Sequence, residues 1–78
     1  MAQINLTQLI ELATKSKRFE IEKNNHDGSI AIIRKNHETQ QIIEGVRCYI
    51  SGQCLDLTWN LSPPLSLHEA GQLLHLVT

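Results

Sequence analysis

The sequence predicts an α+β fold: a helix, a four-stranded antiparallel β-meander and a second helix, with both helices packed on one face of the sheet. Two observations support this fold. A segment near each end repeats apolar residues with the period of an α-helix, and the segments between them alternate apolar and polar residues or form short apolar runs. Polar loops with isolated glycines separate these central segments, as in hairpins. We expect residues 1–78 to form a single domain.

The first helix is predicted to begin after Asn5. Asn5 and Gln8 have the spacing of a capping box, in which each side chain bonds the backbone amide of the other residue. Apolar residues that follow at helical spacing share one face: Leu6, Leu9, Ile10 and Ala13. This face is expected to pack on the sheet.

The first two strands are predicted at residues 19–22 and 30–33. The first alternates apolar and acidic residues, and the second is a continuous apolar run typical of a central strand. A three-residue loop, His26 to Gly28, would join them, because Gly28 can adopt a left-handed conformation. This loop length predicts that Glu20 lies opposite Arg34.

A long third strand is predicted at residues 40–50, with a bulge at Gly45. If Ser51 and Gly52 form a two-residue loop, Cys48 faces Leu55 on the apolar side of the hairpin. The opposite side then carries Arg47 across from Asp56, and it also carries Cys54.

The two cysteines are therefore expected to point to opposite faces of the sheet. A register shifted by one residue would pair Cys48 with Cys54, but it would also bring Asp56 and Thr58 among the core side chains. Two free thiols are predicted, with Cys48 in the core and Cys54 partly exposed.

The second helix is predicted to begin after Ser66, which forms a capping box with Glu69. Five apolar residues are expected on its buried face: Leu67, Ala70, Leu73, Leu74 and Val77. Gly71 lies at the edge of this face, where it could allow a close approach to the sheet.

No group of residues has the spacing of an active site, a cofactor site or a metal site. His68 and His75 are separated by about 10.5 Å along a helix, too far to bind one ion. The four glycines are isolated, so no phosphate-binding loop is formed. These observations predict a protein that is not an enzyme and needs no cofactor.

The charge composition does not indicate a strongly basic or acidic partner. Seven Lys and Arg residues against eight Asp and Glu residues give a formal net charge of −1. No apolar run approaches the roughly 20 residues needed to span a bilayer, and the amino-terminal segment does not resemble a signal peptide. We therefore expect a cytoplasmic protein that does not bind membranes.

Two surfaces are predicted to bind partners. The first, here called the basic edge, comprises residues that the fold should bring to one end of the sheet: Lys15, Lys17, Arg18, Arg34 and Lys35. The second, the hairpin face, comprises Arg47 and Tyr49, residue types that often dominate binding at interfaces. Phe19 and Trp59 are expected in the core.

The function expected from these features is that of a small binding module that docks on a larger protein or nucleoprotein complex and modulates it. One version is an inhibitor of a bacterial defence complex encoded by a phage, such as an anti-CRISPR protein. The alternatives are a nucleic-acid-binding accessory protein that uses the basic edge and a small-ligand binder formed by a dimer. A homodimer is also expected, because the first and fourth strands of a meander have unpaired outer edges.

Overall fold

The computed structural model describes residues 4–59 and 63–77, and the predicted α+β fold is confirmed. The elements in chain order are α1 (Leu6–Ser16), β1 (Glu20–Lys23), β2 (Ile30–Lys35), β3 (Ile42–Cys48), β4 (Cys54–Asp56) and α2 (Leu67–Leu73). The strands form one antiparallel sheet in the order β1-β2-β3-β4. Each strand therefore pairs with its neighbours in the sequence, as the meander requires.

Both helices begin at the predicted capping boxes. The Asn5 side chain accepts a hydrogen bond from the Gln8 amide at 2.8 Å, and the Gln8 side chain accepts one from the Asn5 amide at 2.9 Å. Ser66 and Glu69 make the same reciprocal pair at 3.0 and 3.1 Å. These bonds satisfy amides that have no partner within the helix, so they fix where each helix starts.

The core lies between the two helices and the face of the sheet that they cover, here called the inner face. Fully buried residues of both helices and of three strands form one cluster: Leu9, Ala13, Ile32, Val46, Cys48, Cys54, Ala70 and Leu74. Phe19 is half-buried and packs against this cluster, as predicted. Because α1 and α2 contribute to the same cluster, both helices lie on one face of the sheet.

The loop between β1 and β2 is one residue longer than predicted. The Asn24 amide donates to the Ser29 carbonyl at 2.8 Å, and the Gly28 amide donates to the Asn24 carbonyl at 2.8 Å, which leaves residues 25–28 as the loop. Gly28 adopts the predicted left-handed conformation, with φ of +75°. The longer loop shifts the register by one residue, so Glu20 lies opposite Ile33 and not opposite Arg34.

The loop between β3 and β4 is also one residue longer than predicted. The Tyr49 amide donates to the Gln53 carbonyl at 2.8 Å, and the Gly52 amide donates to the Tyr49 carbonyl at 2.9 Å. Residues 50–52 therefore form the loop, and Gly52 has a φ of +95°. A three-residue loop that ends in a left-handed glycine is a common hairpin connection.

This loop places Cys48 directly opposite Cys54, so the prediction that the cysteines point to opposite faces is wrong. Cys54 is fully buried and not partly exposed. The objection to this register was that Asp56 would enter the core. Instead, β4 ends at Asp56, whose half-buried carboxylate accepts hydrogen bonds from the amide and the hydroxyl of Thr58 at 2.9 and 2.8 Å.

The predicted bulge at Gly45 is wrong, because Gly45 pairs regularly with Ile33. The register of the β2–β3 pair shifts instead between Arg34 and Lys35. Gly45 is buried against the Ile33 side chain, so its lack of a Cβ serves close packing and not a bulge.

The end of α2 differs in part from the predicted helix face. His75 adopts a left-handed conformation with φ of 59°, and the Leu76 amide donates to the Gly71 carbonyl at 2.7 Å, which completes a Schellman motif. The reversal brings Val77 back over Gly71, so Gly71 faces Val77 and Leu9 and not the sheet. Leu73, which was expected in the core, is 45 % exposed.

The two outer strands of the sheet have different edges. Outside β4, Cys54 exchanges two backbone hydrogen bonds with Leu65, at 2.8 and 2.7 Å, so this edge is covered at that point. In β1, all four residues are exposed. Among the described residues, β1 pairs only with β2, so the expected open edge is found at β1 and not at Cys54.

Candidate functional site

Most of the basic edge gathers around one concave surface at the end of the sheet. Lys17, Arg18, Arg34 and Lys35 line this surface, which encloses about 980 Å³, whereas Lys15 is exposed and does not line it. The fold therefore brings together residues from the end of α1 and from the end of β2, as the sequence suggested.

Carboxylates neutralise two of these cations. Arg34 Nε lies 3.3 Å from Glu44 Oε1, and Lys35 Nζ lies 3.5 Å from Glu22 Oε2 and 4.0 Å from Glu20 Oε2. Partly exposed ion pairs add little to stability, but they reduce the positive field available to a phosphate. The concave surface is therefore much less basic than its lysines and arginines alone suggest.

Arg18 has a structural role within the same surface. Its Nη2 donates a hydrogen bond to the Leu74 carbonyl at 3.2 Å, at the carboxyl end of α2, and its guanidinium lies 4.9 Å from the centre of the Phe19 ring. A cation is favoured at this pole of a helix and over an aromatic face. Arg18 thus ties the α1–β1 junction to the end of α2.

On the hairpin face, Arg47 is held by a loop. Its Nη1 donates to Ser29 Oγ at 3.0 Å, and the Ser29 amide donates to Asp27 Oδ1 at 2.8 Å. Hydrogen bonds from the Ser29 hydroxyl and amide, together with the charge of Arg47, lower the pKa of Asp27 below its ordinary value. Arg47 therefore anchors the β1–β2 loop. It lies opposite Leu55, so the prediction that it lies across from Asp56 is wrong.

Tyr49, the second residue of the hairpin face, lies just beyond the end of β3. Its side chain is half-buried, and its backbone makes both hydrogen bonds that close the β3–β4 loop. The most exposed apolar residue of this region is instead Ile50, at the tip of the loop, which is 77 % exposed.

The sequence did not predict a third surface, which surrounds Trp59. This side chain is 62 % exposed, so its expected place in the core is wrong. Apolar residues alternate in the sequence from Leu55 through Leu57 to Trp59, as in a strand with one buried face, but β4 ends at Asp56 and the chain turns there. The closeness of Trp59 to Pro63 and Pro64 was the better sequence signal that Trp59 lies outside the sheet, since proline interrupts strand pairing.

Trp59 lies over a groove between the end of β4 and α2, here called the Trp59 groove, with a volume of about 470 Å³. Seven of the described residues line it: Asp56, Trp59, Pro63, Leu65, Glu69, Gln72 and Leu73. Its surface is largely apolar, and the charged residues among these seven, Asp56 and Glu69, are both acidic.

Ordered elements support the Trp59 groove from two sides. Leu65 is fixed by its two backbone hydrogen bonds with Cys54, and Glu69 by its capping box with Ser66. The Asp56 carboxylate is oriented by Thr58. A groove whose walls are fixed before binding loses less entropy when a partner docks.

None of the helices formed by residues 4–59 and 63–77 has the length and apolar character required to cross a membrane. No protein-family model, curated protein or solved structure matches the chain.

Proposed function

We propose that this protein is a non-enzymatic cytoplasmic binding module that docks on a larger protein or nucleoprotein complex through the Trp59 groove and modulates it. The observation that carries the proposal is the exposure of Trp59 beside Leu73, which is itself 45 % exposed. Tryptophan is the residue type most enriched among those that dominate binding energy, and a large exposed apolar patch marks an interaction site.

The charges of the groove indicate the chemistry of the partner. Asp56 and Glu69 give the apolar surface an acidic border, so it fits an apolar side chain flanked by lysine or arginine. Surfaces of this kind occur on proteins that hold nucleic acid, because their cations bind phosphates. An inhibitor that covers such a surface on a phage-targeting defence complex, in the manner of an anti-CRISPR protein, is one concrete form of this function.

The proposal can be tested by affinity capture from the native host, at low and at physiological salt, with and without nuclease. A captured protein is then titrated with three forms of this chain: wild type, Trp59→Ala and Ile50→Ala. Ile50 is a matched control because it is an exposed apolar residue that does not line the groove. Circular dichroism and urea unfolding establish that each variant folds.

We expect Trp59→Ala to weaken binding by more than about 2 kcal/mol, the scale of dominant interface residues, and Ile50→Ala to change it little. Neutral replacement of Asp56 and Glu69 should slow association and weaken its dependence on salt. If folded Trp59→Ala binds the partner as tightly as the wild type, the groove is not the docking site.

A second candidate function is nucleic-acid binding at the basic edge, favoured by the four cations around one concave surface. Neutral replacement of all five basic-edge residues would then weaken binding to every nucleic-acid sequence and flatten its salt dependence. The double replacement Arg47→Ala with Tyr49→Ala tests the hairpin face in the same assays. The ion pairs of Arg34 and Lys35 make us prefer the Trp59 groove to the basic edge.

A further inference from the structure

The two cysteines form a close pair at the start of the β3–β4 hairpin. Cys48 lies opposite Cys54, their sulfur atoms are 2.7 Å apart, and both residues are fully buried as free thiols. This separation is shorter than an ordinary contact between two sulfur atoms and longer than the roughly 2.05 Å of a disulfide bond. Neither cysteine lines the concave surface or the Trp59 groove, although the backbone of Cys54 holds Leu65 in the groove wall.

The backbone places this pair in the arrangement that brings side chains closest together. Cys54 uses its amide and its carbonyl to bond Leu65 on the outer side of β4, at 2.8 and 2.7 Å. Its pairing with Cys48 is therefore of the non-hydrogen-bonded type, in which opposed Cα atoms are about 4.5 Å apart. That distance lies within the range spanned by natural disulfides, about 4.4–6.8 Å.

We propose that Cys48 and Cys54 are a redox-active pair that forms a reversible disulfide across β3 and β4. The inference is independent of the proposed docking function. The oxidant is hydrogen peroxide or a low-molecular-weight disulfide such as oxidised glutathione. Oxidation removes one hydrogen from each thiol and forms one S–S bond, while two electrons reduce the peroxide to two waters or the glutathione disulfide to two thiols.

The order of the steps follows from the environments of the two thiols. The hydrogen bond between them lowers the pKa of Cys54 and raises that of Cys48, which burial raises further, so Cys48 keeps the proton that stabilises a Cys54 thiolate. The Cys54 sulfur attacks glutathione disulfide, and one glutathione leaves as its thiol. Cys48 then attacks the mixed disulfide at Cys54, releases the second glutathione and loses its own proton.

Access to the buried pair requires the hairpin to open. β4 has only three residues, and the loop at 50–52 contains the exposed Ile50 and Ser51. Short edge elements of this kind open more readily than a central strand. Oxidation of the folded protein should therefore be slow, with a rate that increases under conditions that loosen the hairpin.

The decisive measurement is the equilibrium between dithiol and disulfide in glutathione redox buffers, in native buffer and in concentrated urea. Intact mass reports the loss of two hydrogens. Chymotryptic cleavage after Tyr49 tests the linkage, because the two fragments remain joined only if Cys48 is bonded to Cys54. The ratio of the two equilibrium constants equals the effect of the disulfide on the folding equilibrium.

We expect the native equilibrium constant to exceed that in urea by about fifty-fold, the factor that loop-closure entropy gives for the seven residues from Cys48 to Cys54 in an unstrained bond. The single variants Cys48→Ala and Cys54→Ala should form only mixed disulfides with glutathione. A native constant equal to or below that in urea overturns the proposal, because the fold would then hold the sulfurs apart. Disulfide-linked dimers or stable oxygen adducts in place of the internal bond would also overturn it.

Discussion

Gly45 lies within β3, where the sheet leaves no room for a side chain. A Cβ atom built on this residue would lie 2.8 Å from Ile33 Cγ2 and 2.9 Å from the carbonyl oxygen of Ile32. The second contact is with backbone, so a change of rotamer cannot relieve it. We therefore expect Gly45→Ala to destabilise the protein, although alanine ordinarily favours folding relative to glycine.

The magnitude follows from two opposing terms. Overpacking of a well-packed site typically costs about 1–3 kcal/mol, and replacing a glycine within a strand returns about 0.5–1 kcal/mol. The net loss should be on the order of 1 kcal/mol, which lowers the Tm of a domain of this size by roughly 4–8 °C. Urea unfolding followed by circular dichroism measures the change directly.

Gly52→Ala is the matched control. Apart from its chain neighbours, no atom of the described residues lies within 4 Å of a Cβ built on Gly52, so the cost of this change arises from its φ of +95°. In a double-mutant cycle, Ile33→Leu removes the Cγ2 atom and should recover part of the loss caused by Gly45→Ala, but none of that caused by Gly52→Ala. A Gly45→Ala protein as stable as the wild type would show that Ile33 does not lie over Gly45, and the β2–β3 register would be wrong.

Three further predictions test the loops and the open edge. Hydrogen bonds from Ser29 lower the pKa of Asp27 below 3.8, so the stability that its carboxylate contributes is present above that pH and is lost as the pH falls through the lowered pKa. Asp27→Asn should therefore flatten the acid side of a curve of stability against pH, and an unchanged curve would contradict this. Gln40 has a φ of 62°, so Gln40→Gly should raise the free energy of unfolding by up to about 1 kcal/mol, and a loss in urea unfolding would count against that strain. A two-fold antiparallel pair of β1 strands centred on Ile21 would set Glu20 of one chain opposite Glu22 of the other, and this repulsion disfavours the expected homodimer in that register. Glu22→Lys should therefore increase the sedimentation mass at micromolar concentration, whereas no change would indicate that charge does not protect this edge.

The helix starts could be predicted because their determinants are local. Asn5 bonds a residue three positions away, as does Ser66, so the sequence contains both partners of each capping box. The order of the strands follows equally directly from short loops between apolar segments.

The strand registers could not be predicted with the same certainty, because a single loop residue decides each one. Asn24 accepts hydrogen bonds from the amides of both His26 and Gly28, and this stabilises a four-residue loop where three residues had been expected. A shift of one residue changes every opposed pair, and it moved Cys54 from the expected outer face to the core.

The Trp59 groove could not be predicted because it depends on where β4 ends, and the alternation of apolar and polar residues does not show that end. Apolar alternation continues through Trp59, whereas the pairing ends at Asp56 because its carboxylate bonds the Thr58 amide. Four of the five basic-edge residues line one surface, as expected, whereas the carboxylate partners of Arg34 and Lys35 depend on strand registers that could not be predicted.

The packing of α1 and α2 in one core cluster also affects how fast the protein folds. Leu9 and Leu74 belong to the same core although they lie 65 positions apart in the sequence. Joining them in an unfolded chain would close a long loop, an entropy loss that few contacts offset at that stage. The hairpins of the meander instead join strands that are sequence neighbours, which favours rapid folding. We infer that the hairpins govern the folding rate, whereas contacts between the helices mainly govern the rate of unfolding.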